Sequence, residues 1–382
     1  MSIRRFIPAL ACAALIAVPV TAQHAPPDPN DTRATFPATP HASKVFAWPT
    51  GIPYQADTEP ELIRGPQSGY NLCNSTTEGQ DSLCQTGFFN SIDDFCIWAP
   101  PHPDSVIGDT EGEGVAWCTK PGHGGRLIPE GALTGLQFMK TPAYIQIVGF
   151  LDQTKVNIQS GDGGGEFDPH GADVRGNPLG GLMYSNAFSG GGENYQQVIE
   201  WSLFIGADAF CFKVCDPAME DDDHFCEHIY DRMGCTYNMP NQAQNGVFEA
   251  CLGENQDYPG TYVENGQTLT YTQPAYPTLV EPTYTPRIPG SSSCETFQSA
   301  ELFAALASVS APGAETTPAP SDGEDADASG APTTTGGNPR PTTTPAGGNE
   351  AAAGEGEDSS AMTFAASGIT IFAVLFATTF FA

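Results

Sequence analysis

Positive charge is what this chain has least of. Lysine and arginine number 14 in 382 residues, against 45 aspartates and glutamates, for a net charge of −31 at pH 7. Coulomb repulsion of that size excludes nucleic acid as a partner and gives no basic face for anionic lipid heads. Helical periodicity is nearly missing, with only Asp223 to Met233 placing Phe225, Ile229 and Met233 on one side. No long repeat marks a solenoid. Catalytic signatures are missing as well: the chain has no G-x-S-x-G elbow, no phosphate loop, no dinucleotide fingerprint, and no HxH or HExxH. Histidine is sparse, with 7 residues in all. No catalytic residue, metal or other cofactor is assigned on these grounds.

What is present begins at the ends. Arg4 and Arg5 precede an apolar stretch from Phe6 to Val20, and Val20-Thr21-Ala22 fits the small-residue cleavage rule, so residues 1–22 read as a signal peptide. At the other end, 362–382 is an uncharged apolar tail behind Asp358-Ser359-Ser360-Ala361. Small residues, a spacer and a terminal apolar run form a glycolipid-anchor signal, with Ser359 as the expected attachment residue and Asp358 and Gly356 as neighbours able to serve. An ordinary membrane helix would carry a basic cytoplasmic flank, and no basic residue follows this run. The expectation is a cell-surface protein, held at the outer leaflet of the plasma membrane by lipid or cross-linked into a wall.

Of the 11 cysteines, Cys12 falls in the signal peptide. The other ten are Cys73, Cys84, Cys96, Cys118, Cys211, Cys215, Cys226, Cys235, Cys251 and Cys294. An even number in an exported chain reads as disulfides, and about 945 complete pairings are open. The spacing shows two clusters, 73–118 and 211–294. A zinc reading of Cys211, Cys215, Cys226 and His228 is the alternative.

Residues 23–58 form a Pro- and Thr-rich arm able to lie on the core through Val45, Phe46 and Trp48, and 59–300 form the folded head. Strands are expected at Leu133–Met139, Ala143–Leu151, Lys155–Gln159 and Leu179–Tyr184, with a hairpin from Tyr195–Ile205 and Asp208–Val214. Short strands between Gly and Pro turns, with one short helix, favour a mainly β, disulfide-rich sandwich or jelly roll. Residues 301–361 turn to Ala, Thr, Pro, Gly and acid, the composition of an O-glycosylated, disordered stalk. Fifty such residues, extended, reach on the order of 150 Å. Asn30 and Asn74 head N-glycan acceptor triplets.

The densest polar segment is Gly161–Pro178, which gathers Asp162, Glu166, Asp168, His170, Asp173, Arg175 and Asn177. Carboxylates and an amide on a Gly-rich turn can grip sugar hydroxyls or a hard cation; the plain reading is a solvated connector. His123 would join Asp168, His170, Asp173, Arg175 and Asn177 as a ligand-binding residue, or make a metal pair with His170, only if the fold brings them together. Glycoside hydrolysis needs two carboxylates across a bond, and Asp93, Asp94, Asp109, Glu111, Glu113, Asp168, Asp173 and Glu200 are all candidates. Trp98, Trp117, Trp201 and Tyr184 suit either sugar stacking or the core.

Several segments resemble the basidiomycete macrophage-activating glycoprotein family: Ser91-Ile-Asp-Asp-Phe-Cys96, Glu111–His123, Asp168-Pro-His-Gly-Ala-Asp173 with Gly176-Asn-Pro178, and Cys226–Cys235. The likeness runs from about Gln67 to Thr285 and includes the stalk and tail. It implies a fungal surface glycoprotein that a host's immune cells can sense, and it carries no catalytic motif. The expected function is structural, or polysaccharide-binding within the wall; the alternative is a secreted carbohydrate-active enzyme using a carboxylate pair in the Gly-rich loop.

Overall fold

Alternation of apolar residues builds two sheets that close on one aromatic core. The computed structural model describes residues 36–311, apart from 276, 277, 279, 281 and 282. The segment read as a signal peptide, Asn30, most of the segment read as a stalk, Ser359 and the apolar tail lie outside the described residues. Fifteen strands fall among those described. The first eight are β1 (Thr86–Ser91), β2 (Asp94–Ala99), β3 (Val115–Cys118), β4 (Arg126–Leu127), β5 (Leu133–Lys140), β6 (Tyr144–Leu151), β7 (Gly165–Phe167) and β8 (Leu182–Ser185). The rest are β9 (Gln196–Val198), β10 (Trp201–Gly206), β11 (Ala209–Cys215), β12 (Phe248–Gly253), β13 (Thr261–Glu264), β14 (Gln267–Thr270) and β15 (Ser291–Thr296). A six-stranded sheet has the order β4-β3-β2-β1-β8-β9, a seven-stranded sheet β15-β12-β5-β6-β11-β10-β7, and β13-β14 is a separate hairpin. The fold is mainly β, as expected.

The two sheets meet through rings. Phe89 on β1 stacks on Phe212 of β11 at 4.9 Å, Phe95 on Phe210 at 6.1 Å, and Trp98 lies 5.9 Å from Trp201. Each of these rings is buried, so removing one to Ala would cost about 3–5 kcal/mol through lost transfer and the cavity left behind. Trp98, Trp117, Trp201 and Tyr184 are therefore core residues and offer no exposed face to a sugar.

The seven-stranded sheet is covered on its outer face too. Asp216 to Val247 runs back across it, and β11 is buried along most of its length in consequence. Two disulfides fasten this excursion, Cys211–Cys235 and Cys215–Cys226. Lys213 fastens it again: its buried ammonium donates to Phe225 O, Asn238 O and Gln256 Oε1 at 3.1, 2.9 and 2.8 Å. The remaining bridges are Cys73–Cys84, Cys96–Cys118 and Cys251–Cys294, so every pair stays within its own sequence cluster. The zinc reading fails because Cys211, Cys215 and Cys226 are all spent in disulfides.

Three expected elements differ. Lys155–Gln159 is not a return strand; Asp152 caps a 3-10 turn at Gln153–Val156 by accepting from Thr154 N, and Asn157 stops it in the left-handed region. Tyr195–Ile205 is two strands, not one, because the chain leaves the six-stranded sheet after β9 and enters the other at β10. Ile199 and Glu200 make that crossover. The helix expected from Asp223 to Met233 is one turn, Asp222–Phe225, and single α turns also occur at Ile107–Thr110, Cys235–Asn238 and Ser299–Leu302. A longer helix is prevented where Cys226 turns to meet Cys215.

The segments flanking the head pack on it. Trp48 lies 5.2 Å from Phe88 and 5.3 Å from Tyr184, and Phe46 O accepts from the Tyr184 hydroxyl, while Val45 is exposed. At the far end Leu306 is buried in the core, and Glu130 N donates to Val309 O. The first residues read as stalk are thus in contact with the head. Asn74 is exposed, its Oδ1 accepting from Thr76 N and Oγ1. No helix among the described residues is long and apolar enough to cross a membrane.

Candidate functional site

The Gly-rich segment forms one wall of a cleft at the free edge of the seven-stranded sheet. Edge strand β7 pairs with β10 through Phe167↔Leu203 and Gly165↔Ile205. The chain reaches that edge only because Gly164 has φ +88°, and a Cβ there would lie 2.0 Å from Ile205 O. Strand alternation then sends Phe167 into the core and Glu166 to the outer face, beside Phe204. Ser202 donates to Glu166 Oε1 at 2.7 Å.

Beyond β7 the loop closes on itself. Asp168 and Asn177 exchange backbone hydrogen bonds at 2.9 and 2.8 Å, and Asp168 Oδ1 accepts from His170 N and Gly171 N at 2.7 and 2.6 Å. The cleft beside it measures about 1190 Å³ and is lined by Glu111, Glu166, Asp168 and Asn177, by the Gly163–Gly165 backbone, by Phe204, and by His228, Ile229 and Arg232 from the disulfide-bound excursion. Asn177 spans two neighbours: its Nδ2 donates to Glu111 Oε2 at 2.5 Å, and its Oδ1 accepts from Arg64 Nη1 at 2.6 Å.

The electrostatics are unusual for a surface groove. Burial, reinforced by the Asp168 charge, pushes the Glu111 carboxyl up to about 7. Burial and the same neighbour push Glu166 well above the usual carboxylate range. Burial raises Asp168, against its two backbone donors. Beside this group, His170 Nε2 lies 3.0 Å from Glu200 Oε2, and its ring stacks on His228 at 3.8 Å. Burial would lower His170, but the hydrogen bond and charge of Glu200 outweigh it and raise the pKa. His228 is lowered by burial and by its charged neighbour His170. Ligand atoms of His170, Glu200 and His228 all lie within 4.8 Å of one another.

The structure divides the residues singled out from sequence. Asp168 and Asn177 line the cleft, and His170 stands behind His228 at its edge. Asp173 and Arg175 face the other way. Arg64 Nε donates to Asp173 Oδ2 at 2.8 Å, and Arg175 is buried in an ion pair with Asp57 at 2.6 Å, its Nη2 also donating to Gly65 O. His123 is not brought to the loop; its ring stacks on Phe88 and its Nε2 bonds Asp94 Oδ1 at 2.6 Å. The pairing of His123 with His170 in a metal site therefore fails. Of the other acids, Asp93 pairs with Lys120. Arg64 and Asp57, which hold the loop, and Phe204 and Arg232, which face it, carried no sequence signal beyond residue type. His228 had one, as the histidine two residues after Cys226.

No family model matches the chain, and no solved structure matches it. Two curated proteins of the fungus Mycosarcoma maydis do. Appressorium protein ROW2 is 42% identical over 218 residues, which cover 56% of this chain and 72% of ROW2. Appressorium protein ROW1 is 45% identical over 212 residues, 56% of this chain, and the match spans about half of ROW1, 49% of its length. The likeness to macrophage-activating glycoproteins rests on the sequence segments alone. Given that identity and coverage, the chain belongs to the family of the appressorium proteins ROW2 and ROW1.

Proposed function

We propose that this chain is an exported fungal surface glycoprotein working at or near an infection structure, and that its acidic cleft grips a wall polysaccharide. The observation that carries the reading is the make-up of the cleft. The exposed Ile229 and the Gly163–Gly165 backbone offer an apolar surface to a pyranose face, while Glu111, Asp168, Asn177 and Arg232 offer acceptors and donors to its hydroxyls. The relatives' names support the setting. The signal peptide, a lipid attached at Ser359 and a glycosylated stalk would display the head outward, where host immune cells could also meet it. Binding of purified secreted protein to an array of chitin, β-glucan, mannan and plant-wall oligosaccharides tests this. Retention of one class, abolished in Asn177→Ala with Asp168→Asn, is expected; a blank array would leave the head a purely structural wall component.

One observation favours a second reading. A carboxyl held up to about 7, as Glu111 is, can donate a proton at neutral pH, and Asp168 stands close enough to raise it. A glycosidase would show this as release of reducing ends from the bound polymer, lost in Glu111→Gln. Retention without turnover leaves the binding reading in place.

A further inference from the structure

We propose that His170, Glu200 and His228 hold a borderline divalent cation, zinc in the first instance, which clasps the Gly-rich loop to the disulfide-bound excursion. Two imidazole nitrogens and one carboxylate oxygen are the donor set that zinc and copper(II) prefer over calcium or magnesium. The three residues come from three separate segments, each held in place by the fold. His170 sits on the loop closed by the Asp168–Asn177 bridge. Glu200 sits at the crossover between sheets, its carbonyl accepting from Cys215 N at 3.0 Å. His228 follows Cys226, whose disulfide returns to that same Cys215. Cys215 thus holds both segments, the one that carries Glu200 by a backbone hydrogen bond and the one that carries His228 by a disulfide.

Charge points the same way. Among the described residues, Glu200 forms its ion pair only with His170, Glu227 only with His228, and Asp168 forms none with Lys or Arg. The acids around this spot are thus left without a strong cation. Glu227 Oε1 stands 3.9 Å from His228 Nδ1, too far for a hydrogen bond but close enough to add negative charge beside the imidazole. Access is open, with side-chain exposures of 22% for His170, 13% for Glu200 and 34% for His228. Among the described residues, the other grouping of this kind, Glu249 with Cys251 and Cys294, is unsuited because its cysteines form a disulfide.

Geometry sets what binding must change. The two rings lie 3.8 Å apart and 9° from parallel, so their in-plane lone pairs run side by side and do not meet. An ion at about 2.1 Å from each donor needs donor atoms about 3.4 Å apart in a tetrahedral arrangement. The rings therefore turn out of the stack as the ion enters, and the fourth position is left to water or a ligand.

The test uses the secreted full chain, stripped with chelator and titrated with zinc chloride by calorimetry. One equivalent is expected, with affinity falling more than about tenfold to a hundredfold in His228→Gln and in Glu200→Gln, and unchanged in Glu249→Gln. Far-UV circular dichroism and a free-thiol assay check that each variant has folded. Copper(II) paramagnetic resonance on the unmutated chain gives an independent reading, with superhyperfine coupling to two imidazole nitrogens expected. Uptake below one equivalent, variants that bind as tightly as the parent, or coupling to fewer than two nitrogens would each overturn the site.

Discussion

Asp168 and Asp173 stand five positions apart on one loop and face opposite environments. Asp173 is spent on Arg64, and its neighbour Arg175 on Asp57, so this side of the loop is tied to the end of the N-terminal arm and the start of the head. Asp168 has backbone donors but no basic partner, and its side of the loop borders a large cleft. One side satisfies its charges internally; the other leaves carboxyls raised and donors gathered. The difference teaches that acid density alone does not mark a site. What matters is whether the acids have cationic partners.

The arm side should break hardest. Asp57→Ala leaves the Arg175 guanidinium buried and unpaired, which costs about 3–5 kcal/mol, read as a shift in the urea midpoint. Next comes acid sensitivity on the same side. His41, buried with Nε2 2.7 Å from Gly181 O, is held by burial at about 4 instead of 6.5. The unfolded chain therefore takes up this proton first, and stability is lost as pH falls from 6.5 toward 4, by about 3 kcal/mol in full. His41→Gln should flatten that slope in unfolding curves collected across the range.

The cleft side should respond in the opposite sense. Glu111 has its folded pKa raised from 4.5 to about 7, so the native state holds this proton longer and its stabilising effect is lost as pH rises through that window. Glu111→Gln should match the parent below pH 4.5 and gain on it above pH 7, a crossing visible in paired melting curves. Gly164→Ala should cost about 1–3 kcal/mol, since its positive φ and the nearby Ile205 carbonyl leave no room for a methyl group. The same change should alter the cleft floor, so ligand binding falls with it. Asp168→Asn should have the smallest effect on stability, within about 1 kcal/mol, because the amide oxygen can still accept from His170 N and Gly171 N.

Much of the sheet architecture was legible. β5 and β6 show apolar runs around Thr141-Pro142, and β10 and β11 pair where Trp201 to Val214 alternates. The break inside Tyr195–Ile205 was not legible, since no Gly or Pro marks it; the crossover at Glu200 follows from which sheet each half joins. The helix pattern at Asp223 to Met233 was overruled by a covalent bond to Cys215, which local periodicity cannot report. At the site, the density of polar residues from Asp162 to Asn177 did mark the cleft wall. Its division into two sides was hidden, because the deciding partners, Asp57 and Arg64, lie 118 and 109 residues from Arg175 and Asp173. His123 looked as promising as His170 for the same reason: Asp94 and Phe88, which claim it, are neighbours only in the folded chain.

The most direct test sets one side of the loop against the other with a single ligand. Calorimetry with the best-retained oligosaccharide would compare Asn177→Ala and Asp168→Asn with Asp173→Asn, each beside its melting temperature. The account predicts that the cleft pair lose binding while staying folded, and that Asp173→Asn binds as the parent does at a lower melting temperature. Binding that survives in the cleft pair, or fails only in step with stability, would contradict it.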